Sequence, residues 1–224
     1  MKACALFHPR VGLALVVLAV LAFTWLANGV VGGRWAEWNE AMRQQVRAPA
    51  SPELTGFAVA VTSLCNAREL KLLVLGAVGF FVARRRHIDA AGLLAVIAGV
   101  VAMENVLKPL FAIARPVPFD PAFTAPGYSF PSGHALRAVG LFGYLAAMAL
   151  AGGGRAWWRW VLTVVGVALA VGVCWSRVYL GVHFPTDVIA GALAAGAWVV
   201  VCLIARHSVM ARLRKGSASP TATG

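Results

Sequence analysis

Charge is scarce in this chain. Asp and Glu together number 8 in 224 residues, and charged residues of both signs make up 12%, against roughly 25% in a soluble domain. With 60% hydrophobic residues and a mean hydropathy of +0.78, the chain cannot clothe itself in a water-facing shell. It reads as a single all-α, polytopic membrane domain. So few carboxylates also leave no acidic cluster suited to Mg²⁺. Cysteine is equally thin. Cys4, Cys65, Cys174 and Cys202 are scattered without metal-ligand spacing, which argues against a zinc module or a disulfide framework and leaves them as small buried hydrophobes. The formal charge of +12 would suit nucleic acid, but no basic residues interleave with aromatics on a polar surface, so a nucleic-acid partner is not expected.

What is present is a series of apolar runs. Val11 to Val31 is long enough to cross a hydrocarbon core of ~30 Å, and it exceeds the apolar stretch of a signal peptide, so an uncleaved first span is expected. In Arg34 to Arg47, Trp35, Trp38, Met42 and Val46 recur at helical spacing against Glu37, Glu40 and Arg43, the pattern of an amphipathic helix in the interface. Leu54 to Leu64 is too short to span alone. Five further spans are expected over Leu70–Ala83, Ile88–Leu107, Ala135–Ala151, Trp157–Trp175 and Pro185–Ala205, giving six transmembrane helices within a domain of residues 1–215. The Ser-, Ala- and Thr-rich tail, residues 216–224, reads as disordered.

Positive residues orient these spans. With a cytoplasmic N-terminus, Arg84 to Arg86, Arg155 with Arg159, and Arg206, Arg212, Arg214 and Lys215 all fall on the cytoplasmic side. The remaining charged motifs then share the opposite, extracytoplasmic face, the periplasmic one if the membrane is a bacterial inner membrane. This parity requires Leu54–Leu64 not to cross.

Three stretches on that face carry the chemistry. Lys108 and Arg115, the latter followed by Pro116, place two cations at or beyond the end of span three. Arg presents a planar fork of donors to phosphate oxygens and Lys a point charge, although interfacial snorkelling alone would also put them there. Pro131-Ser132-Gly133-His134 leads from a loop into span four. Ser132 can open the helix, the N–H groups there can cradle a phosphate, Gly133 lets an anion approach the backbone, and His134, one turn inside, can protonate a leaving oxygen. In the third stretch Arg177 closes span five, and His183 and Asp187 lie four apart near the start of span six, facing one side if the helix runs through both. Asp187 can hold one ring nitrogen of His183 and leave the other as a nucleophile. A helix cap and a structural His–Asp pair are the plainer readings of the last two.

Together, Lys108 to Arg115-Pro116, Pro131 to His134, and Ser176-Arg177 to His183 and Asp187 resemble the tripartite signature of the type 2 phosphatidic acid phosphatase (PAP2) family, which shares its site with vanadium haloperoxidases and bacterial class A acid phosphatases. The resemblance implies that His183 attacks phosphorus to form a phosphohistidine, that Asp187 orients it and that His134 protonates the leaving oxygen. It further implies that Lys108, Arg115, Ser132, Gly133 and Arg177 hold the phosphoryl oxygens. Cations and backbone N–H groups suffice for such a transfer, so no metal or other cofactor is expected. Glu104, four residues before Lys108, is expected to steady that lysine.

A site at the end of apolar spans favours a lipid phosphate in the bilayer over a soluble sugar phosphate, with undecaprenyl diphosphate, phosphatidic acid and phosphatidylglycerol phosphate as the candidates. No obligatory protein partner is evident. Phe119, Phe123 and Tyr128 are expected to shape the opening. Phosphotransfer to a second acceptor and a non-catalytic binder of anionic lipid are the alternative functions.

Overall fold

The structure is a computed structural model and describes residues 9–151 and 157–217. Among these residues all regular structure is helical: α1 (Pro9–Val31), α2 (Ala36–Arg47), α3 (Pro52–Ser63), α4 (Ala67–Ala83), α5 (His87–Phe111), α6 (Gly133–Ala138), α7 (Tyr144–Ala151), α8 (Trp157–Tyr179) and α9 (Pro185–Ser217). A π-helical turn, Val139–Gly143, joins α6 to α7 without a break. The Gly152–Arg155 turn and residues 218–224 of the tail lie outside the described residues, while residues 216 and 217 continue α9.

Five helices among the described residues are long and apolar enough to cross a membrane: α1, α5, the continuous Gly133–Ala151 segment, α8 and α9. The remaining expected span falls in α4, whose 17 residues extend only about 25 Å. Five of the six expected spans therefore meet the length, and α4 falls just short. α3, at 12 residues or about 18 Å, is too short to cross, as its flanking residues indicated. Ser51 caps it by accepting from the Leu54 N–H at 3.1 Å.

The outward faces explain the shortage of charge. Leu13, Leu18, Leu21, Leu72, Leu75, Val164 and Val171 are all exposed on the bundle surface, an arrangement that would be an aggregation hazard in water and is ordinary against lipid tails. Inside, Leu93 and Val96 of α5 pack with Leu141, Tyr144 and Met148, and Val199, Cys202 and Leu203 of α9 close the cluster. Cys65 and Cys202 are buried and Cys174 half-buried, all free, in keeping with their reading as small hydrophobes.

α2 corrects an expectation. Its polar Asn39 and Arg43 are buried and Trp38 is exposed, while Trp35 and Val46 pack inward and Glu37 and Glu40 stay exposed, so the face turned to the protein is part polar and part apolar. Arg43 donates to the carbonyls of Val117 at 2.7 Å and Gly181 at 3.4 Å and stands over the Phe119 ring. Asn39 and Thr186 exchange two hydrogen bonds, Nδ2 to Oγ1 at 3.0 Å and the Thr186 N–H to Oδ1 at 3.2 Å. This helix is a strap over the α8–α9 turn, which carries His183.

The start of α6 is drawn against α9 by a close approach. A Cβ on Gly191 would lie 2.7 Å from the Ser132 carbonyl oxygen, so only glycine lets the two backbones come this near. The end of α5, the start of α6, the end of α8 and the start of α9 thus meet at one end of the bundle.

Candidate active site

His183 lies in the turn between α8 and α9 and is 1% exposed. The helix begins at Pro185, so His183 and Asp187 do not share a helical face. They meet because the turn folds the imidazole back over the first turn of α9. Nδ1 is 3.3 Å from Asp187 Oδ2 and 3.2 Å from Ser129 Oγ. The Ser129 hydroxyl itself donates to Asp187 Oδ2, and the Phe184 N–H donates to the same oxygen at 2.9 Å. An ionised carboxylate with these neighbours accepts from an Nδ1–H, which leaves Nε2 as the unprotonated nitrogen, the one that meets the Arg115 guanidinium.

Burial pushes the His183 imidazole down to about 4. The Asp187 carboxylate opposes that shift, and Arg177 and Arg115 add to it. At neutral pH the ring is therefore uncharged, as a nucleophile must be. Its Nε2 faces Arg115 Nη1 at 3.0 Å. Arg115 is anchored by Nε to the Gly127 carbonyl at 3.0 Å and by Nη1 to the Val182 carbonyl at 3.1 Å, which holds its guanidinium at the Nε2 edge of the ring.

A second network lies beside the first. Lys108 Nζ meets Glu104 Oε1 at 2.7 Å, and Arg137 Nη2 meets Glu104 Oε2 at 2.7 Å. The expected Glu104–Lys108 pair is present, and Arg137 completes it. Gly133 proves necessary for a reason other than anion approach: a Cβ there would lie 2.1 Å from Glu104 Oε1. The bare glycine makes room for the carboxylate that orients both cations.

Ser132 caps α6, its Oγ accepting from the Ala135 N–H at the 3.5 Å limit of a hydrogen bond. Its own N–H is committed to the Asp187 carbonyl at 2.9 Å, so it is unavailable to an anion. The N–H groups of Gly133 and His134 remain as first-turn donors without intrahelical acceptors. His134 is the second residue of α6 rather than one turn inside, and its Nε2 lies 3.3 Å from Asn66 Oδ1. Arg177, in the last turn of α8, is buried and donates from Nη1 to Thr62 Oγ1 at 2.9 Å.

Seven of the eight residues singled out from the sequence thus make hydrogen bonds at one end of the bundle, and the eighth, Gly133, lies against Glu104. Sequence reasoning assigned no part to Ser129, Arg137, Thr62 or Asn66. The aromatic residues of the preceding loop behave differently from expectation. Phe123 packs on Tyr179, Leu180 and Val182, Phe119 lies under Arg43, and only Tyr128 of the three is exposed. The first two fasten the loop rather than line an opening.

Residues 89–210 match the PAP2 superfamily, a segment that includes every one of these eight residues. The chain belongs to the PAP2 superfamily. Among PAP2 relatives it is 30% identical over 178 residues to phosphatidylglycerophosphatase B of Bacillus subtilis, with 76% of this chain and 84% of that one covered. It is 40% identical over 96 residues to undecaprenyl-diphosphatase of Sulfolobus acidocaldarius, covering 42% of this chain and only 37% of the relative's length. The PAP2-type phosphatidylglycerolphosphate phosphatase structure from Bacillus subtilis superposes with a TM-score of 0.71 at 24% identity, over 92% of this chain and 98% of that one. The shared PAP2 fold is thus that of an integral membrane protein. The named PAP2 relatives are lipid phosphatases.

Proposed function

We propose that this protein is a membrane lipid phosphatase that works through a phosphohistidine at His183. The observation that carries this reading is the orientation of one ring: Nδ1 is turned to Asp187 and Nε2 to a cation, in a burial that keeps it neutral. Nε2 attacks phosphorus as the bond to the leaving oxygen breaks, and His134 supplies that oxygen with a proton. Water then cleaves the P–N bond and gives its proton to His134, regenerating both side chains. Lys108, Arg115 and Arg177, with the Gly133 and His134 N–H groups, stabilise the charge on the phosphoryl oxygens. Ser132 serves by capping the helix and by tying it to Asp187.

A lipid substrate is supported by the surroundings of Arg137. A cavity of about 450 Å³ between α4 and α5 is lined by Leu70, Val74, Leu75, Ile97 and Val101 and reaches Arg137, whose carboxylate partner also holds Lys108. Apolar walls ending at a phosphate-binding cluster suit a molecule with its tail in lipid and its phosphate at headgroup depth. Undecaprenyl diphosphate and phosphatidylglycerol phosphate follow as first candidates from the relatives' names, with phosphatidic acid the third.

In this reading α4 is the sixth crossing of one integral membrane domain. Arg84, Arg212, Arg214 and Lys215 then lie on the cytoplasmic side of the plasma membrane and the site opens on the other. The test is phosphate release from these three lipids in detergent with EDTA present, comparing wild type with His183→Ala. Release from at least one lipid, lost in the variant, is expected; equal release by both proteins would refute the assignment.

A further inference from the structure

At the end of the bundle away from His183, the start of α5 and the last third of α9 enclose a cavity of about 540 Å³. Its basic wall is Arg85, Arg86 and Arg206, and its apolar wall includes Ile88, Met210 and Leu213. Between the walls sits Asp89, 4% exposed, with its backbone carbonyl accepting from Tyr144 Oη at 3.0 Å.

Asp89 holds two arginines in the same manner. Oδ2 meets Arg86 Nε at 2.5 Å and Oδ1 meets Arg206 Nε at 2.5 Å. Each guanidinium is bound at its Nε, so the paired terminal nitrogens of both have no hydrogen-bond partner among the described residues. One carboxylate needs one cation for neutrality. Here three arginines line the cavity against a single acid, leaving a surplus of positive charge whose free donors are planar forks of the kind that bind phosphate oxygens in pairs.

We propose that this cavity is a second phosphate site, separate from the catalytic one, that takes the headgroup phosphate of an anionic lipid in the opposite leaflet. A free phosphate ion offers the same oxygens. The lipid is favoured because the cavity is part arginine and part apolar, and it lies at the end of the membrane-crossing helices, where headgroup and first methylenes meet. Asp89 acts as the organiser: it fixes the two guanidinium groups by their Nε atoms, so less side-chain freedom is lost when the ligand arrives.

The test compares wild type with Arg85→Ala, which leaves both Asp89 bridges intact, and with Arg206→Gln, which removes one. Each protein in detergent is titrated with phosphatidylglycerol, phosphatidylcholine or inorganic phosphate, with bound molecules counted by native mass spectrometry and thermal unfolding followed in parallel. Phosphatidylglycerol is expected to bind wild type more tightly than phosphatidylcholine, and each arginine removed should weaken it about fivefold. Phosphatase turnover in Arg85→Ala should stay at the wild-type level. The same preference in all three proteins, or none in wild type, would overturn the site. Arginine-dependent binding of inorganic phosphate with none of phosphatidylglycerol would overturn the lipid as its ligand. Should Arg206→Gln fail to fold, Arg85→Glu takes its place, and retained phosphatidylglycerol preference there would be equally fatal.

Discussion

Ser129 Oγ lies 3.2 Å from Nδ1 of His183 while donating its own proton to Asp187 Oδ2. A hydroxyl that has spent its hydrogen on the carboxylate can only accept from the ring, so Ser129 and Asp187 impose the same tautomer on His183. Ser129→Ala removes one of these two restraints. A hydrogen bond to a charged group is worth about 1.5–3 kcal/mol, so kcat should fall roughly 10- to 100-fold, with KM changed much less. An unchanged kcat would show that Asp187 alone sets the ring.

Asp187→Asn should be more severe. The amide can still accept at one position, but it loses the charge that stabilises the developing imidazolium. It also sits where the Phe184 N–H and Ser129 hydroxyl both require an acceptor. A drop in kcat on the order of 10²-fold or more is expected, by analogy with the orienting acid of a catalytic triad. Single-turnover rates would show it directly.

Gly133→Ala should disturb Glu104 before it disturbs substrate. The added methyl would fall on a carboxylate that is held from both sides by Lys108 and Arg137, and overpacking of this kind costs about 1–3 kcal/mol. Adding Glu104→Ala to Gly133→Ala should reduce that incremental cost toward zero. Thermal unfolding of the four proteins in a double-mutant cycle measures the coupling, and strict additivity would mean the contact is unimportant.

The His183 ring should titrate far below an ordinary histidine. Burial lowers its folded value to about 4 from 6.5, so the ring stays neutral from pH 7 down to about pH 5. Between those two values the unfolded chain binds a proton that the folded one does not. Stability therefore falls as pH drops through this window. ¹⁵N shifts of the imidazole in histidine-labelled protein, assigned by comparison with His183→Ala, give the midpoint. A midpoint near 6.5 would contradict the burial described here.

Much of the site was legible because polar groups are conspicuous in an apolar chain. Lys108, Arg115, His134, Arg177, His183 and Asp187 stand out for that reason, and the four-residue step from Glu104 to Lys108 reads correctly as a helical ion pair. Ser129 was not legible, since a single serine between Tyr128 and Phe130 looks like any loop residue. The Asn39–Thr186 pair joins positions 147 apart, which no local pattern encodes.

The α2 face was misread for a more general reason. Periodicity shows that a helix has two faces, but it does not show that Asn39 and Arg43 turn inward beside Trp35 and Val46 to bond distant residues. Helices α8 and α9 run past the expected ends at Trp175 and Ala205, to Tyr179 and Ser217, with Arg177 bonded to Thr62 and Arg206 to Asp89. Pro109 likewise fails to end α5, being placed in its last turn.

The proposed reaction passes through a covalent bond between phosphorus and Nε2 of His183. Rapid acid-free quench of wild type mixed with a ³²P-labelled lipid phosphate, followed by peptide mapping, tests it most directly. Base-stable, acid-labile label is expected on the peptide containing His183, absent in His183→Ala and slowed in His134→Ala. Turnover without any labelled histidine, or label that persists in His183→Ala, would contradict it.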